Sequence, residues 1–241
     1  MRTDLDLNSL AVNLRRDWEI DAYSPLDIFS IVLSKFPNLT ILYYPMSENT
    51  SGMCINENNI QLIAINSHHS KGRQRFTLAH ELYHLLYEEK SDERFVCIKN
   101  SDYLSEIEAN AFASFLLMPD EALKRYIKSN VLKWDLDTLI LAEQYFQISH
   151  RGFLLRLKKA NQKFDSSLWD IKITDEAKKR GFSDELYVKR NGNYFVLGKY
   201  VKMIDDLDKQ DLISESKKRE LLLDGYRGDL VFYLNEENNN E

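Results

Sequence analysis

The sequence carries one motif whose residue types and spacing could do chemistry, His80-Glu81-Leu82-Tyr83-His84. Apolar residues recur at steps of three and four through residues 75–87, which predicts that the motif lies on a helix. Four residues make about one helical turn, so His80 and His84 project from the same face and can bind one Zn²⁺. Glu81 lies beside them and can take a proton from a water molecule on the metal. The motif therefore predicts zinc-dependent hydrolysis.

A catalytic zinc site needs a third protein ligand and keeps one position for water. In one known extension of the motif, a glycine and a third histidine follow where this chain has Tyr87 and Lys90, so that arrangement is excluded. We expect a carboxylate from the next predicted helix instead, with Glu106 as the ligand and Glu108 as the alternative. Asn110 lies one turn after Glu106 and is expected to hydrogen-bond to a ligand and fix its orientation.

Hydrolysis at a carbonyl group also needs a hydrogen-bond donor for the developing oxyanion. Tyr87 is the first candidate, because it lies seven residues after His80 on nearly the same helix face. Tyr103, His150 and Arg151 are rivals from other parts of the chain. The residues alone leave this choice open.

Short strands and a series of helices must position these residues. β-branched and aromatic residues predict strands at residues 39–44, 52–55 and 60–65, and the turn between the last two predicts a hairpin. An open strand edge could pair with a substrate peptide, for which residues 52–55 are the first candidate and residues 60–65 the second. Periodicity and helix-stop residues predict helices at residues 10–36, 75–87, 103–117, 120–129, 135–146, 149–163 and 214–226, with residues 197–204 in helical register.

These segments together resemble the ImmA/IrrE family of gluzincin-type metallopeptidases. The resemblance covers roughly residues 20–160 and is carried by three stretches: Arg75-Phe76-Thr77-Leu78-Ala79-His80-Glu81-Leu82-Tyr83-His84, then Glu106-x-Glu108-Ala109-Asn110-x-Phe112-Ala113, then Leu116-Leu117-Met118-Pro119. Residues 213–214 and 220–222 resemble a tail found in some members. The family usually has glycine where Tyr83 stands, and the larger side chain is expected to narrow the cleft.

The resemblance implies a small zincin fold, zinc on His80, His84 and Glu106, and Glu81 as the catalytic base. It also implies a substrate class, because members of this family cleave helix-turn-helix repressors of mobile elements or act on a comparable regulator in a stress response. We therefore predict limited proteolysis of a DNA-binding regulator, with Zn²⁺ as the cofactor.

The predicted fold class is α+β, with a zincin-like domain followed by a helical C-terminal portion. The domain is expected at residues 1–164 and contains a short sheet, the H-E-x-x-H helix and a helical segment at residues 120–163. Residues 165–241 form the C-terminal portion, whose polar end is expected to be disordered.

Charge suggests an alternative function. The 32 basic and 38 acidic residues give a net charge of −6 and a pI near 5.5, which argues against nucleic-acid binding through overall charge. Residues 149–163 nevertheless contain no acidic residue and several cations: Arg151, Arg156, Lys158, Lys159 and Lys163. The alternative is a zinc-bound, DNA-associated transcriptional regulator with weak or conditional peptidase activity, which contacts DNA through this stretch.

Two cysteines, Cys54 and Cys97, lack metal-ligand spacing, which disfavours a purely structural zinc site with four protein ligands. They also cannot form a disulfide framework, which suits a reducing compartment. Neither a signal peptide nor a transmembrane run is apparent, so we expect a cytoplasmic protein that does not associate with membranes.

Overall fold

The computed structural model describes residues 2–57, 60–88, 95–98 and 104–231. Five strands within these ranges form one sheet: β1 (Leu39–Tyr44), β2 (Thr50–Glu57), β3 (Ile60–Asn66), β4 (Phe95–Ile98) and β5 (Phe195–Gly198). Their order across the sheet is β4-β2-β3-β1-β5. β1 and β3 run parallel, and the other neighbouring strands pair antiparallel.

Helices make up most of the remaining described chain. They are α1 (Asp4–Asp17), α2 (Ile28–Lys35), α3 (Lys71–Tyr87), α4 (Leu104–Leu117), α5 (Asp120–Asn130), α6 (Leu136–Phe146), α7 (His150–Lys159), α8 (Ile173–Lys179), α9 (Lys199–Lys209) and α10 (Glu215–Asp224). A 3-10 helix covers Ser166–Asp170. The predicted α+β fold class is confirmed. Within the described ranges, none of the helices combines the length and the apolar character needed to span a bilayer.

The helical stretch predicted at residues 10–36 is two helices with an irregular segment between them. α1 begins earlier than predicted because Thr3 caps it. The Thr3 hydroxyl accepts a hydrogen bond from the Asp6 amide at 3.2 Å, and the Asp6 carboxylate accepts one from the Thr3 amide at 2.9 Å. Glu19 adopts a φ of 64° just after α1, and Pro25 lies in the segment that precedes α2.

β2 and β3 form the predicted antiparallel hairpin. β2 also pairs with β4 on its other side, and β3 pairs with β1. Both segments expected to offer an open edge, residues 52–55 and 60–65, therefore lie in internal strands, and that expectation is wrong. The sequence pattern missed β4 and β5 because a strand of four residues carries little periodic signal.

A glycine separates strand β5 from helix α9, where helical register was expected throughout residues 197–204. Leu197 lies in β5, and α9 begins at Lys199. Gly198 has a φ of 85°, and a Cβ atom at this position would lie 2.3 Å from the Leu39 carbonyl oxygen. β5 thereby reaches β1, so the chain after residue 164 contributes a strand to the sheet. A domain boundary near that residue stays a prediction.

Helix α3 packs against β2, β3 and α4 and lies largely inside the protein. The small residues Ala109 and Ala113 on α4 are fully buried, which lets the two helices approach closely. Arg75, also buried, donates hydrogen bonds from α3 to the carbonyl oxygens of Leu26 and Gln147, the latter at 3.0 Å. These contacts hold α3 in place against the sheet and its neighbouring helices.

Candidate active site

Two helices bring three potential metal ligands together. His80 and His84 lie one turn apart on α3, and Glu106 lies in the first turn of α4. The Nε2 atoms of the two histidines are 3.0 Å apart, and the Glu106 carboxylate oxygens lie 3.3 Å from His80 Nε2 and 3.4 Å from His84 Nε2. All three residues are buried, and one ligand atom of each lies within 4.8 Å of the others. This cluster could hold a metal ion.

The ring orientation of both histidines suits metal binding. His80 Nδ1 lies 3.1 Å from Asn110 Oδ1, and a hydrogen bond donated by Nδ1 to this oxygen would leave the Nε2 lone pair for a metal ion. His84 Nδ1 lies 3.0 Å from Glu88 Oε1, which is an ion-pair distance. Two imidazole nitrogens and one carboxylate form a donor set typical of catalytic sites with a divalent metal ion. The residues present therefore fit such an ion.

The ligand side chains affect one another's protonation. Burial raises the pKa of Glu106, but hydrogen bonds and charge from His80 and His84 outweigh this effect and lower the pKa to about 2. Burial lowers the pKa of His84, whereas the hydrogen bond to Glu106 and the charges of nearby carboxylates raise it, and the net shift is upward. Glu106 is therefore ionised near neutral pH, as a metal ligand must be.

Glu81 lies next to His80 in the sequence and lines the same cleft. Its side chain is buried against β2 at Gly52, where a Cβ atom would lie 2.9 Å from Glu81 Oε1. The same Cβ atom would lie 2.8 Å from the Ala64 carbonyl oxygen and 2.6 Å from Thr77 Cγ2. Only glycine leaves room here for the carboxylate, so the strand as well as the helix positions Glu81.

A cleft with a volume of about 850 Å³ opens over the ligand cluster. Its wall includes residues of α3 and α4 around the ligands and the first residues of α7. Arg2 and Asp4 line it from the N-terminal segment. A volume of this size is typical of clefts that bind ligands.

Glu108, the alternative ligand, lines the cleft but is held by other partners. Its carboxylate accepts hydrogen bonds from the Tyr83 hydroxyl and, at 2.5 Å, from the Arg2 backbone amide. The Arg2 guanidinium lies 3.2 Å from Glu108 Oε2. Tyr83 is 1% exposed and is not among the described residues that line the cleft. It therefore links α3 to α4 and does not narrow the cleft as expected.

Tyr87, the first candidate for an oxyanion donor, packs inside the helical layer. Its ring centroid lies 5.7 Å from that of Tyr83 and 5.3 Å from that of Phe112. The described lining of the cleft does not include it. The structure therefore does not bring Tyr87 to the ligand cluster.

The other candidates for the oxyanion donor differ in whether their nitrogen atoms already have hydrogen-bond partners. His150 lines the cleft, but its Nδ1 lies 2.7 Å from Glu143 Oε1 and its Nε2 lies 2.8 Å from the Leu168 carbonyl oxygen, so both nitrogens are engaged. Arg151 lines the cleft and is exposed. Tyr103 lies outside the described residues.

The basic residues of α7 do not form one continuous surface. Arg156 is 2% exposed, and its guanidinium lies 2.5 Å from Asp120 Oδ1. Lys159 forms an ion pair with Asp4 at 2.5 Å. The cations of this helix that are exposed and form no ion pair among the described residues are Arg151 and Lys158.

Glu88 and Gly52 are two site residues that sequence reasoning missed. Glu88 follows His84 by four residues, and that helical spacing is the signal that could have found it. Gly52 had no such signal, because its role depends on the approach of α3 to β2.

An α+β domain with this His-His-Glu cluster, and a second glutamate beside it, has the architecture of a zincin-like metallopeptidase. Residues 37–158 match the family model Peptidase_M78, described as the IrrE N-terminal-like domain, over about half of the 241 residues. The chain belongs to this metallopeptidase family, which confirms the resemblance. The matched range includes the potential metal ligands and Glu81. Comparison with curated proteins finds no match.

Proposed function

We propose that this protein is a zinc-dependent endopeptidase that performs limited proteolysis of a DNA-binding regulator of the helix-turn-helix type. The observation that carries the proposal is the cluster of His80, His84 and Glu106, with Glu81 beside it, in an open cleft. Membership of a metallopeptidase family supports the reaction class. The substrate class rests on resemblance to family members that act on such regulators.

The metal would be held by His80, His84 and Glu106. A bound Zn²⁺ would lower the pKa of a coordinated water towards about 7 and polarise the scissile carbonyl. Asn110 lies at hydrogen-bond distance from His80 Nδ1 and Glu88 at ion-pair distance from His84 Nδ1, and both Nε2 atoms face the centre of the cluster. This arrangement limits rotation of both rings before any substrate arrives.

Glu81 has the role of the general base. Its carboxylate accepts a proton from the attacking water and later gives that proton to the nitrogen of the leaving amine. Burial against Gly52 holds the carboxylate at the cleft wall and keeps bulk water away from it. A confined position of this kind favours transfer of the proton to the leaving group over its loss to solvent.

The test compares Glu81→Gln with the unaltered protein. Glutamine keeps the size of the side chain but cannot accept the proton, so cleavage should fall about 100-fold or more. The assay mixes the protein and zinc with a helix-turn-helix protein encoded beside it and follows loss of the intact partner. Zinc content, measured by atomic emission, should stay near one per chain.

The matched control is Glu121→Gln, which changes an exposed glutamate on α5 whose ion-pair partner within the described ranges is Lys124, at 3.6 Å. It should keep full activity. An undiminished cleavage rate in Glu81→Gln would reject the mechanism. Cleavage of no helix-turn-helix protein, together with cleavage of other polypeptides, would reject the substrate class and keep the reaction.

A further inference from the structure

Two arginines line the cleft without a carboxylate partner among the described residues, Arg73 on α3 and Arg151 on α7. The other basic side chains of the lining lie next to carboxylates: Arg2 next to Glu108, Arg156 next to Asp120, Lys159 next to Asp4, His80 next to Glu106 and His150 next to Glu143. Positive charge at these two positions is therefore not neutralised by the part of the chain that the structure describes.

The two arginines lie near each other because the beginnings of α3 and α7 are in contact. A Cβ atom on Gly72 would lie 2.7 Å from the Ser149 backbone nitrogen and 3.0 Å from Ser149 Cα. Arg73 follows Gly72, and Arg151 follows Ser149 by two residues. Burial, and then the positive charge of Arg151, lower the pKa of Arg73.

Arg73 is also held in position. Its guanidinium donates a hydrogen bond to the Ser51 hydroxyl at 2.9 Å, and Ser51 lines the cleft from β2. Two positive charges held close together repel each other, and a bound anion would remove that repulsion. Guanidinium groups bind carboxylates with paired hydrogen bonds, which makes a carboxylate the matching ligand.

We infer that Arg73 and Arg151 form a subsite for a carboxylate of the polypeptide substrate. The carboxylate can come from an aspartate or glutamate side chain or from the end of a peptide chain. This inference rests on the proposed peptidase function, and it names a feature of the substrate that the function alone leaves open.

The position of the subsite predicts where the carboxylate lies in the substrate. Arg73 precedes His80 by two helical turns, which is about 10 Å along the helix axis. An extended peptide advances about 3.3 Å per residue. An acidic residue about three positions from the cleaved bond would therefore reach the arginines.

A nucleic-acid ligand fits the cleft less well. The same lining contains Glu81, Glu106 and Glu108, which would repel a chain of phosphates. A peptide can place one carboxylate at the arginines and neutral backbone beside the glutamates. The cleft therefore favours a polypeptide with a single acidic group at the right distance.

The test measures peptide binding to zinc-loaded Glu81→Gln, which should bind substrate without cleaving it. The probes are labelled decapeptide mixtures, acetylated and amidated, with Glu, Gln or Lys at one fixed position. We expect one Glu position to bind roughly tenfold more tightly than Gln at that position. Arg73→Gln and Arg151→Gln should each abolish most of this preference, and Lys158→Gln on the exposed face of α7 should keep it.

Further measurements show whether the bound anion is a side-chain carboxylate, a chain-terminal carboxylate or a phosphate. They also distinguish failure of the subsite from failure of the proposed peptidase function. Peptides with a free carboxyl terminus but no acidic side chain show whether the chain end is the ligand. Equal binding of Glu and Gln peptides at every position, with no preference for a free end, would overturn the subsite.

Displacement of the peptides by a labelled DNA duplex, lost in both arginine variants, would assign the site to phosphate instead. A Glu preference in a protein that cleaves no polypeptide would reject the peptidase function and keep the subsite.

Discussion

A histidine binds a metal only through a ring nitrogen that carries no proton, so the partner of the other nitrogen matters. At His80 that partner is Asn110, and at His84 it is Glu88. Both partners face Nδ1, so both Nε2 atoms point towards Glu106. The ligand set depends on five side chains, of which three would touch the metal.

Alanine substitutions of the two α4 glutamates, Glu106 and Glu108, should have different effects on zinc content. Glu106→Ala removes a carboxylate that faces both imidazoles, so zinc content should fall from about one per chain to near zero. Glu108→Ala should keep its zinc, because Glu108 is bonded to Tyr83 and Arg2. Atomic emission on the two purified variants checks this expectation. Normal zinc content and affinity in Glu106→Ala would reject Glu106 as a ligand in favour of Glu108.

At the scale of elements, the contact between β2 and α3 sets the position of the general base. Successive side chains of a strand point to opposite faces, so Gly52 and Cys54 face α3 while Met53 faces away. Burial raises the pKa of the Cys54 thiol most, and the negative charge of Glu81 is the second cause of the increase. The strand thus presents an uncharged surface with a gap at Gly52 to the Glu81 carboxylate.

Gly52→Ala should impair catalysis more than folding. The new methyl group would meet Glu81 Oε1 at 2.9 Å and the Ala64 carbonyl oxygen at 2.8 Å, so α3 or the carboxylate must shift. We expect the free energy of unfolding to fall by roughly 1–3 kcal/mol, which is typical of overpacking. The activation free energy of cleavage should rise by more than that, because the carboxylate loses its position. Urea denaturation and the cleavage assay measure the two effects. Met53→Leu, on the other face of β2, is the control, and equal activity of both variants would contradict the role of Gly52.

At the scale of the whole molecule, buried charged side chains connect segments that are far apart in the chain. Arg15 is fully buried and donates hydrogen bonds to the carbonyl oxygens of Asp21 and Leu116, both at 2.9 Å. Burial lowers the pKa of Arg15 to about 10, so it stays protonated near neutral pH. His150 and Glu143 connect α6 and α7 in a similar way, and His150 also reaches the 3-10 helix at Leu168.

The pair of His150 and Glu143 should make stability depend on pH. Burial lowers the pKa of His150, but the hydrogen bond and charge of Glu143 outweigh it, so the pKa lies above its ordinary 6.5. Burial raises the pKa of Glu143 above its ordinary 4.5, with His150 opposing the shift. The folded state therefore binds more protons than the unfolded state, and the free energy of unfolding should fall as pH rises through the folded pKa of His150. The expected slope is on the order of 1 kcal/mol per pH unit.

The variant Glu143→Gln isolates this contribution. Without the negative charge, burial dominates and lowers the pKa of His150, so its contribution to stability should rise with pH between about 5 and 7. Urea denaturation at a series of pH values compares this variant with the unaltered protein and with Glu121→Gln. Parallel pH profiles for all three proteins would show that the buried pair does not control the stability.

The metal-binding motif and its helix were predictable because their signals are local. A four-residue spacing places His80 and His84 on one helix face whatever the rest of the chain does. The same reasoning selected Glu106 and Asn110 on the next helix, although it left Glu108 open. The hairpin of β2 and β3 was also predictable, since a turn joins two segments with strong strand propensity.

Other features depend on contacts between segments that are distant in the sequence. β4 and β5 join the sheet through long-range pairing, which is why residues 52–55 lie in an internal strand. Tyr83 turns towards Glu108 and Arg2 because α4 and the N-terminal segment meet there. Arg73 and Arg151 line the same cleft because the helices that carry them begin at the same wall.

The sequence by itself determined the residues that can hold a metal and the helix that carries two of them, because helical periodicity depends on residue spacing alone. The tertiary structure decided which glutamate faces the histidines, which strand makes room for Glu81 and which arginines remain without a carboxylate partner among the described residues. Those outcomes depend on how closely separate elements approach one another, and packing of the whole core sets that approach.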